Sequence, residues 1–228
     1  MPKSTRVIKK TDRKKPWLKK AKPTSYYLNS REQNKTILIV GEGQTEKLYF
    51  ESFPVLSLTV EAIDLQGQSK LKLIESTEEI VKSAEILYDA IWCVFNMDVK
   101  QGEMEFSDFD NAISSGTAKG YEIAYSNDCF ELWFYLHYQF TDQKHHRTFY
   151  YKELSKVFGL NYEKEGKSYE FCKNIYSILE NDTNASQLNA IERAKTLFES
   201  YKYLVYHKQN PTTKVYELVE LLNENCRK

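Results

Sequence analysis

Residues Thr36 to Phe50, Thr-Ile-Leu-Ile-Val-Gly-Glu-Gly-Gln-Thr-Glu-Lys-Leu-Tyr-Phe, constrain the chain more than any other stretch. Thr36 to Val40 is a short apolar run rich in β-branched residues, which predicts a strand buried on both faces. Gly41 and Gly43 permit a sharp turn where a side chain would clash. From about Thr45 the chain turns helical, with Thr45 as N-cap and with Leu48 and Tyr49 facing inward. Strand, tight turn and helix place Glu42 at the carboxyl edge of a sheet, where open α/β sheets bind their ligands.

The chemistry of that turn excludes the familiar phosphate cradles. A loop that binds phosphate uses backbone N–H groups and a helix N-terminus, without an acid in the turn. Gly41-Glu42-Gly43 begins like a dinucleotide fingerprint, but Glu46 stands where the third glycine belongs, and the Gly-Lys-Ser/Thr of a P-loop is missing. An acid here suits a hard, oxygen-preferring cation such as Mg²⁺. The plainer alternative is that Glu42 is a solvated turn residue. Glu46 reads as an acid complementing the dipole of the helix it opens.

The rest of the first 142 residues repeats this alternation. Leu58 to Leu65 predicts a second strand ended by Gly67, and Lys70 to Leu87 a helix with Leu73, Ile74, Ile80, Val81, Ala84 and Leu87 on one face. Ala90 to Phe95 is a third strand that delivers Asn96, Met97 and Asp98 to the same edge as Glu42. A polar stretch over 99–106 precedes a helix from about Asp108 to Ala118, closed by Gly120. Tyr121 to Tyr125 is a fourth strand, Ser126-Asn127-Asp128 a turn, and Cys129 to Phe140 an aromatic helix. Strands alternating with helices at these spacings predict a parallel sheet covered on both faces. After Gln143 the strand signals stop. Lys152 to Phe158, Tyr169 to Leu179 and Ala185 to Tyr206 read as helices, the last with Leu188, Ile191, Ala194, Leu197, Phe198 and Tyr201 on one face. Asn210 reads as the cap of a final helix with Pro211 at its first position and Val215, Leu218, Val219 and Leu222 as its stripe. The expected organisation is a basic arm over 1–34, an α/β core over 35–142 and a helical annex over 143–228.

Charge is unevenly spread. The chain as a whole is neutral, with 32 basic and 32 acidic residues. Residues 1–35 hold twelve Lys or Arg against Asp12 and Glu32, a net +10, so the remainder carries −10. A basic arm on an acidic body suggests nucleic acid as partner, through Lys9, Lys10, Arg13, Lys14, Lys15, Lys19 and Lys20. Trp17, Tyr26 and Tyr27 stand among these charges and could stack on bases. A disordered solubilising tail has the same composition. No apolar run reaches the length of a membrane span, and the start lacks a signal-peptide core. The four cysteines are widely spaced without a Cys-x-x-Cys pair, which reads as free thiols in a cytoplasmic protein.

Three acidic sites converge at the predicted sheet edge: Glu42 after the first strand, Asp98 after the third, and Asp128 with Glu131 after the fourth. Converging carboxylates repel one another unless a cation lies between them, which favours Mg²⁺ or Mn²⁺. Each has a structural alternative. Asp98 could cap the next segment, and Asp128 with Glu131 fits a capping box. His137 shares a helix face with Phe130, Trp133 and Phe134 and reads as a buried, hydrogen-bonded core residue, while His145 and His146 read as solvated. Neither a nucleophile elbow nor a Cys and His motif supports covalent catalysis.

Several motifs resemble one family. Gly-Glu-Gly-x-Thr-Glu-x-x-Tyr-Phe at 41–50, Trp-Cys-Val-Phe-Asn-Met-Asp at 92–98, Ser-Asn-Asp-Cys-Phe-Glu-Leu-Trp-Phe-Tyr-Leu-His at 126–137 and Asn-Pro-Thr-Thr-x-Val-x-x-Leu-Val at 210–219 look like the RloB family, which is related to AbiLii-type abortive-infection proteins. The resemblance spans nearly everything after the arm, and Cys-Phe-Glu-Leu-Trp is its most specific phrase. Such proteins are similar to TOPRIM-fold proteins, in which a glutamate after the first strand and an Asp-x-Asp after the third bind Mg²⁺ for phosphodiester chemistry. By position, Glu42 and Asp98 inherit those roles. Asn96 departs from the pattern: it takes the first place of the Asp-x-Asp, where an amide oxygen can coordinate but brings no charge.

The resemblance therefore implies a TOPRIM-like anti-phage defence protein acting as a Mg²⁺-dependent (or Mn²⁺-dependent) nuclease, with a partner protein of a defence system as a further expectation. Glu42 and Asp98 would hold metal with Asn96 assisting, and Glu131 would complete the shell or act as base. The rival reading is a nucleic-acid-binding or regulatory module with a weakened metal site. A phosphoacceptor domain using Asp98 would need a lysine at a later strand end, and the sequence places none there.

Overall fold

A computed structural model describes residues 35–63, 69–98 and 103–226. The basic arm, with Lys9, Lys10, Arg13, Lys14, Lys15, Trp17, Lys19 and Lys20, lies outside the described residues, as do Leu65, Gly67 and residues 99–102. The elements are β1 (Ile37–Gly41), α1 (Gln44–Glu51), β2 (Leu58–Ala62), α2 (Lys70–Ser83), β3 (Ala90–Asn96), α3 (Glu103–Ala118), β4 (Glu122–Asn127) and α4 (Glu131–Leu136), followed by α5 (Arg147–Phe158), α6 (Tyr162–Glu165), α7 (Tyr169–Asn181), α8 (Gln187–Tyr201), β5 (Thr212–Thr213) and α9 (Val215–Asn225).

The sheet runs in the order β2-β1-β3-β4-β5. β1 pairs in parallel with β2 and β3, β3 with β4, and β5 closes the far side antiparallel to β4. The α/β reading holds: a mainly parallel sheet flanked by helices, consistent with a TOPRIM-like arrangement. Its continuous apolar strands follow from burial on both faces. Leu38 and Val40 of β1, Cys93 and Phe95 of β3, and Ile123 and Tyr125 of β4 pack beneath α2 and α3. Ile37, Ile39, Trp92, Val94 and Ala124 point the other way. That opposite cluster is continuous through α1, α4, α5, α7 and α8 to Val215, Leu218, Val219 and Leu222 of α9.

Trp133 anchors this larger cluster. It is fully buried, and its indole Nε1 donates to the hydroxyl of Tyr49 at 2.9 Å. The Tyr49 ring packs edge-on against Phe130 and Phe134. His137 is buried as expected, with Nδ1 2.9 Å from the Trp133 carbonyl. The four cysteines are unpaired. Among the described residues no helix is long and apolar enough to cross a membrane.

Several local expectations are corrected. The first helix starts at Gln44 with Gly43 as its N-cap, so Thr45 lies inside the first turn, where its hydroxyl meets Cys172 Sγ at 3.4 Å. β4 runs on to Asn127, and α4 is far shorter than Cys129 to Phe140. Leu188 is 73% exposed, because the buried face of α8 is Ala190, Ile191, Ala194 and Leu197. Asn210-Pro211 does not start a helix. Thr212 and Thr213 pair with Asn127 and Ser126, Ser126 Oγ lies 2.8 Å from Thr213 Oγ1, and the Tyr125 hydroxyl donates to Gln209. These buried polar contacts hold the segment as a strand, and α9 begins only after Lys214.

Trp133→Ala is expected to lower stability by about 3–5 kcal/mol, since it opens a cavity in a closed aromatic cluster and leaves the buried Tyr49 hydroxyl without its donor. Urea unfolding with the wild type alongside checks this. A loss of the size seen for surface substitutions would contradict the packing.

Candidate active site

The sheet order creates the site. The chain leaves β1 toward β2 on one side and returns to β3 on the other, so a crevice opens between the carboxyl ends of β1 and β3. The turn after β1 is latched to β3 by the Glu42 N–H, which donates to the Val94 carbonyl at 3.0 Å. β3 is tied in turn to β4: the Met97 N–H reaches Ser126 O at 2.9 Å and the Asp98 N–H reaches Asp128 O at 3.0 Å. Asp98 itself has φ +51°, a left-handed conformation that Asp tolerates better than most residues.

A cleft of ≈ 340 Å³ at this edge is lined by Glu42, Glu46, Asn96, Asp98, Glu131, Arg147, Tyr151 and Lys167, among others. It brings together the four residues expected from the sequence: Glu42, Asn96, Asp98 and Glu131. Asn96 stands at its floor and is 7% exposed. Its backbone N–H donates to Glu42 Oε2 at 3.2 Å, and its side-chain Nδ2 donates to Glu46 Oε1 at 2.9 Å. Its Oδ1 is buried and accepts no hydrogen bond.

Glu46 lies in the first turn of α1, as expected of an acid that complements the helix dipole, but it is also buried at the site. It is 6% exposed and faces the cleft. The two flanking glycines make room for it: a Cβ on Gly41 would stand 3.2 Å from Glu46 Cβ, and one on Gly43 would stand 3.1 Å from Glu46 Oε2. Burial pushes the Glu46 carboxyl up to about 7, against the lowering effect of its hydrogen bonds and with the Glu42 charge adding to the rise.

Every other carboxylate of the cleft meets a basic side chain. Lys70 Nζ pairs with Glu42 Oε1. Arg147 Nη2 lies 2.7 Å from Asp98 Oδ1, and Lys167 Nζ lies 2.6 Å from Glu131 Oε1. Asp128 does not form the expected capping box. α4 is preceded by Phe130, and Asp128 Oδ2 instead accepts from the Arg147 backbone N–H at 3.0 Å, with Arg147 Nε 3.9 Å away. The two cations come from the C-terminal part of the chain, Arg147 from the start of α5 and Lys167 from the turn between α6 and α7, and their sequence spacing carries no signal of the role.

Among the described residues no group of three or more His, Cys, Asp or Glu side chains is arranged to hold an ion. What the cleft floor offers is the Glu42 and Glu46 carboxylates on either side of Asn96, whose buried Oδ1 has no partner. An all-oxygen set of this kind fits a hard divalent cation such as Mg²⁺ or Mn²⁺ and does not suit a thiophilic one.

The chain belongs to the RloB-like protein family, whose model matches residues 37–222. Neither the curated proteins nor the solved structures contain a match to it.

Glu46→Gln tests the buried carboxyl in protein freed of metal with EDTA. A carboxyl raised from 4.5 to about 7 favours the folded state only while protonated, so its contribution is full below about pH 4.5 and is lost as pH rises through about 7. The amide does not ionise. Glu46→Gln is therefore expected to match wild type in acid and to be more stable by up to about 3 kcal/mol above neutrality. Parallel pH dependences of the two melting curves would show that Glu46 is not buried as described.

Proposed function

We propose that this RloB-like protein is a divalent-cation-dependent nuclease of abortive-infection-type anti-phage defence, which hydrolyses phosphodiester bonds of nucleic acid at the β1–β3 crevice. The observation that carries this reading is the convergence of Glu42, Glu46 and the unpartnered Asn96 Oδ1 in a cleft that Arg147 and Lys167 also line. Acids and cations lining one cleft suit an ion and a phosphate in the same space.

In this reading Glu42 and Asp98 would hold Mg²⁺ or Mn²⁺ with Asn96 assisting, and Glu46 lies beside them. The bound ion would polarise the phosphodiester and favour ionisation of an attacking water. Glu131 lines the same cleft and would complete the shell or accept a proton from the attacking water. The basic arm over 1–34 adds sequence-independent attraction for the polyanion.

The second reading is a nucleic-acid-binding or regulatory module without hydrolysis. Asn96 supports it, because it removes one unit of negative charge from the place where the related pattern has an acid. So do the three cations that already neutralise Glu42, Asp98 and Glu131.

Two substitutions separate the readings. Under the nuclease reading Glu42→Gln abolishes Mg²⁺-dependent cleavage. Asn96→Asp restores the missing charge and lowers the Mg²⁺ concentration required, by about ten- to a hundredfold on the scale of shell mutations at metal sites. The binding-module reading expects no cleavage from either variant or from wild type. Cleavage that survives Glu42→Gln undiminished in a nuclease-free preparation would place the chemistry elsewhere.

Deleting residues 1–34 is expected to weaken nucleic-acid binding and to flatten the slope of log affinity against log salt, because fewer phosphates are neutralised. An unchanged slope after truncation would remove the arm from the interface.

A further inference from the structure

We propose that Arg147 and Lys167 are the phosphate-binding side chains of the cleft, and that they occupy its carboxylates as placeholders until a divalent ion arrives, so that ion and phosphate bind cooperatively. The proposal rests on the reading of the cleft as a metal-dependent phosphodiester site.

The first argument is the quality of the two contacts. Arg147 Nη2 is 2.7 Å from Asp98 Oδ1, and Lys167 Nζ is 2.6 Å from Glu131 Oε1. Despite its distance, Arg147 Nη2 is buried and makes no well-formed hydrogen bond. Arginine pairs that serve stability are commonly bidentate, with two parallel N–H bonds on one carboxylate. Arg147 reaches Asp98 through one terminal nitrogen, and its Nε lies 3.9 Å from a different acid, Asp128. The charges are neutralised while donor capacity is left over.

The second argument is charge balance. A divalent ion entering alone would take the carboxylates and leave the partly buried Arg147 guanidinium unpaired. A phosphate entering alone would draw off the cations and leave Glu131, 1% exposed, without compensation. Either half-step strands a desolvated charge, which is strongly unfavourable. When both enter, the charge of the ion offsets the acids and the phosphate takes Arg147 and Lys167, so neither these two cations nor the acids they face are left uncompensated.

The third argument is reach. Arg147 opens α5, while Lys167 lies in the turn between α6 and α7. The Lys167 side chain is 43% exposed and rests over the Tyr151 ring with Nζ 5.2 Å from its centre, so it can turn from Glu131 toward the cleft mouth. Lys70 also pairs with an acid of the site, but it does not line the cleft.

The test uses the full chain, with calorimetric titration of Mn²⁺ and with anisotropy of a labelled phosphorothioate oligothymidylate measured with and without Mn²⁺. Wild type is expected to bind the oligonucleotide about tenfold more tightly with Mn²⁺. Arg147→Gln and Lys167→Gln are expected to bind Mn²⁺ at least as tightly as wild type, having lost a competitor, while the Mn²⁺-induced gain in oligonucleotide affinity disappears. Arg147→Lys keeps the charge and the fold, and is expected to retain Mn²⁺ binding with a reduced gain. If the glutamine variants do not fold, Arg147→Lys decides, and an undiminished gain overturns the proposal. Folded glutamine variants that bind Mn²⁺ several-fold more weakly, or that keep the full gain, also overturn it, since the cations would then merely position the acids. Wild type that takes up no Mn²⁺, or Glu42→Gln that takes it up equally well, removes the metal-site reading itself and this proposal with it.

Discussion

Like charges confined at one sheet edge are the constraint on which this structure turns. The parallel pairing of β1, β3 and β4 carries Glu42, Asp98, Asp128 and Glu131 to the same end of the sheet, and α1 adds Glu46. Several carboxylates cannot stay ionised and close in a partly desolvated crevice without cations or protons. The chain answers in both ways. Lys70 lies against Glu42, Arg147 against Asp98 and Asp128, and Lys167 against Glu131, and burial favours the protonated form of Glu46.

That solution makes the C-terminal helices part of the site. Arg147 and Lys167 lie beyond the last of the parallel strands, yet they supply two of the three cations that balance the crevice. The hydrophobic cluster that joins α5, α7, α8 and α9 to the sheet holds them there, with Trp133 and Tyr49 near its centre. Packing and electrostatics are thus coupled.

Residues whose role depends on strand register were legible before the fold was seen. An apolar run followed at once by Glu42 or by Asn96-Met97-Asp98 admits few placements, because a buried parallel strand must present its next polar residues at the carboxyl edge. Residues whose role depends on burial were not. An acid in a first helical turn looks the same in sequence whether it faces water or a cleft, so the sequence carries the place of Glu46 in that turn and not its burial. Thr45 and Asp128 match local capping patterns, but Gly43 holds the cap position of α1 and the carboxylate of Asp128 accepts from Arg147. Pro211 has the local signature of a helix start. The contacts of Ser126 with Thr213 and of Tyr125 with Gln209 override it, and they join residues some eighty positions apart.

By itself the sequence determined the four parallel strands and the helices between them, the edge at which the acids gather, and the uneven charge of arm and body. These follow from side-chain periodicity and residue type, which act over a few neighbours in the chain. Only the tertiary structure decided which acids are balanced and by what. It paired Glu42 with Lys70, Asp98 with Arg147 and Glu131 with Lys167, buried Glu46, and left Asn96 Oδ1 unpartnered at the cleft floor. Charge and desolvation act through space, and the partners that satisfy them are brought together by packing across long stretches of chain.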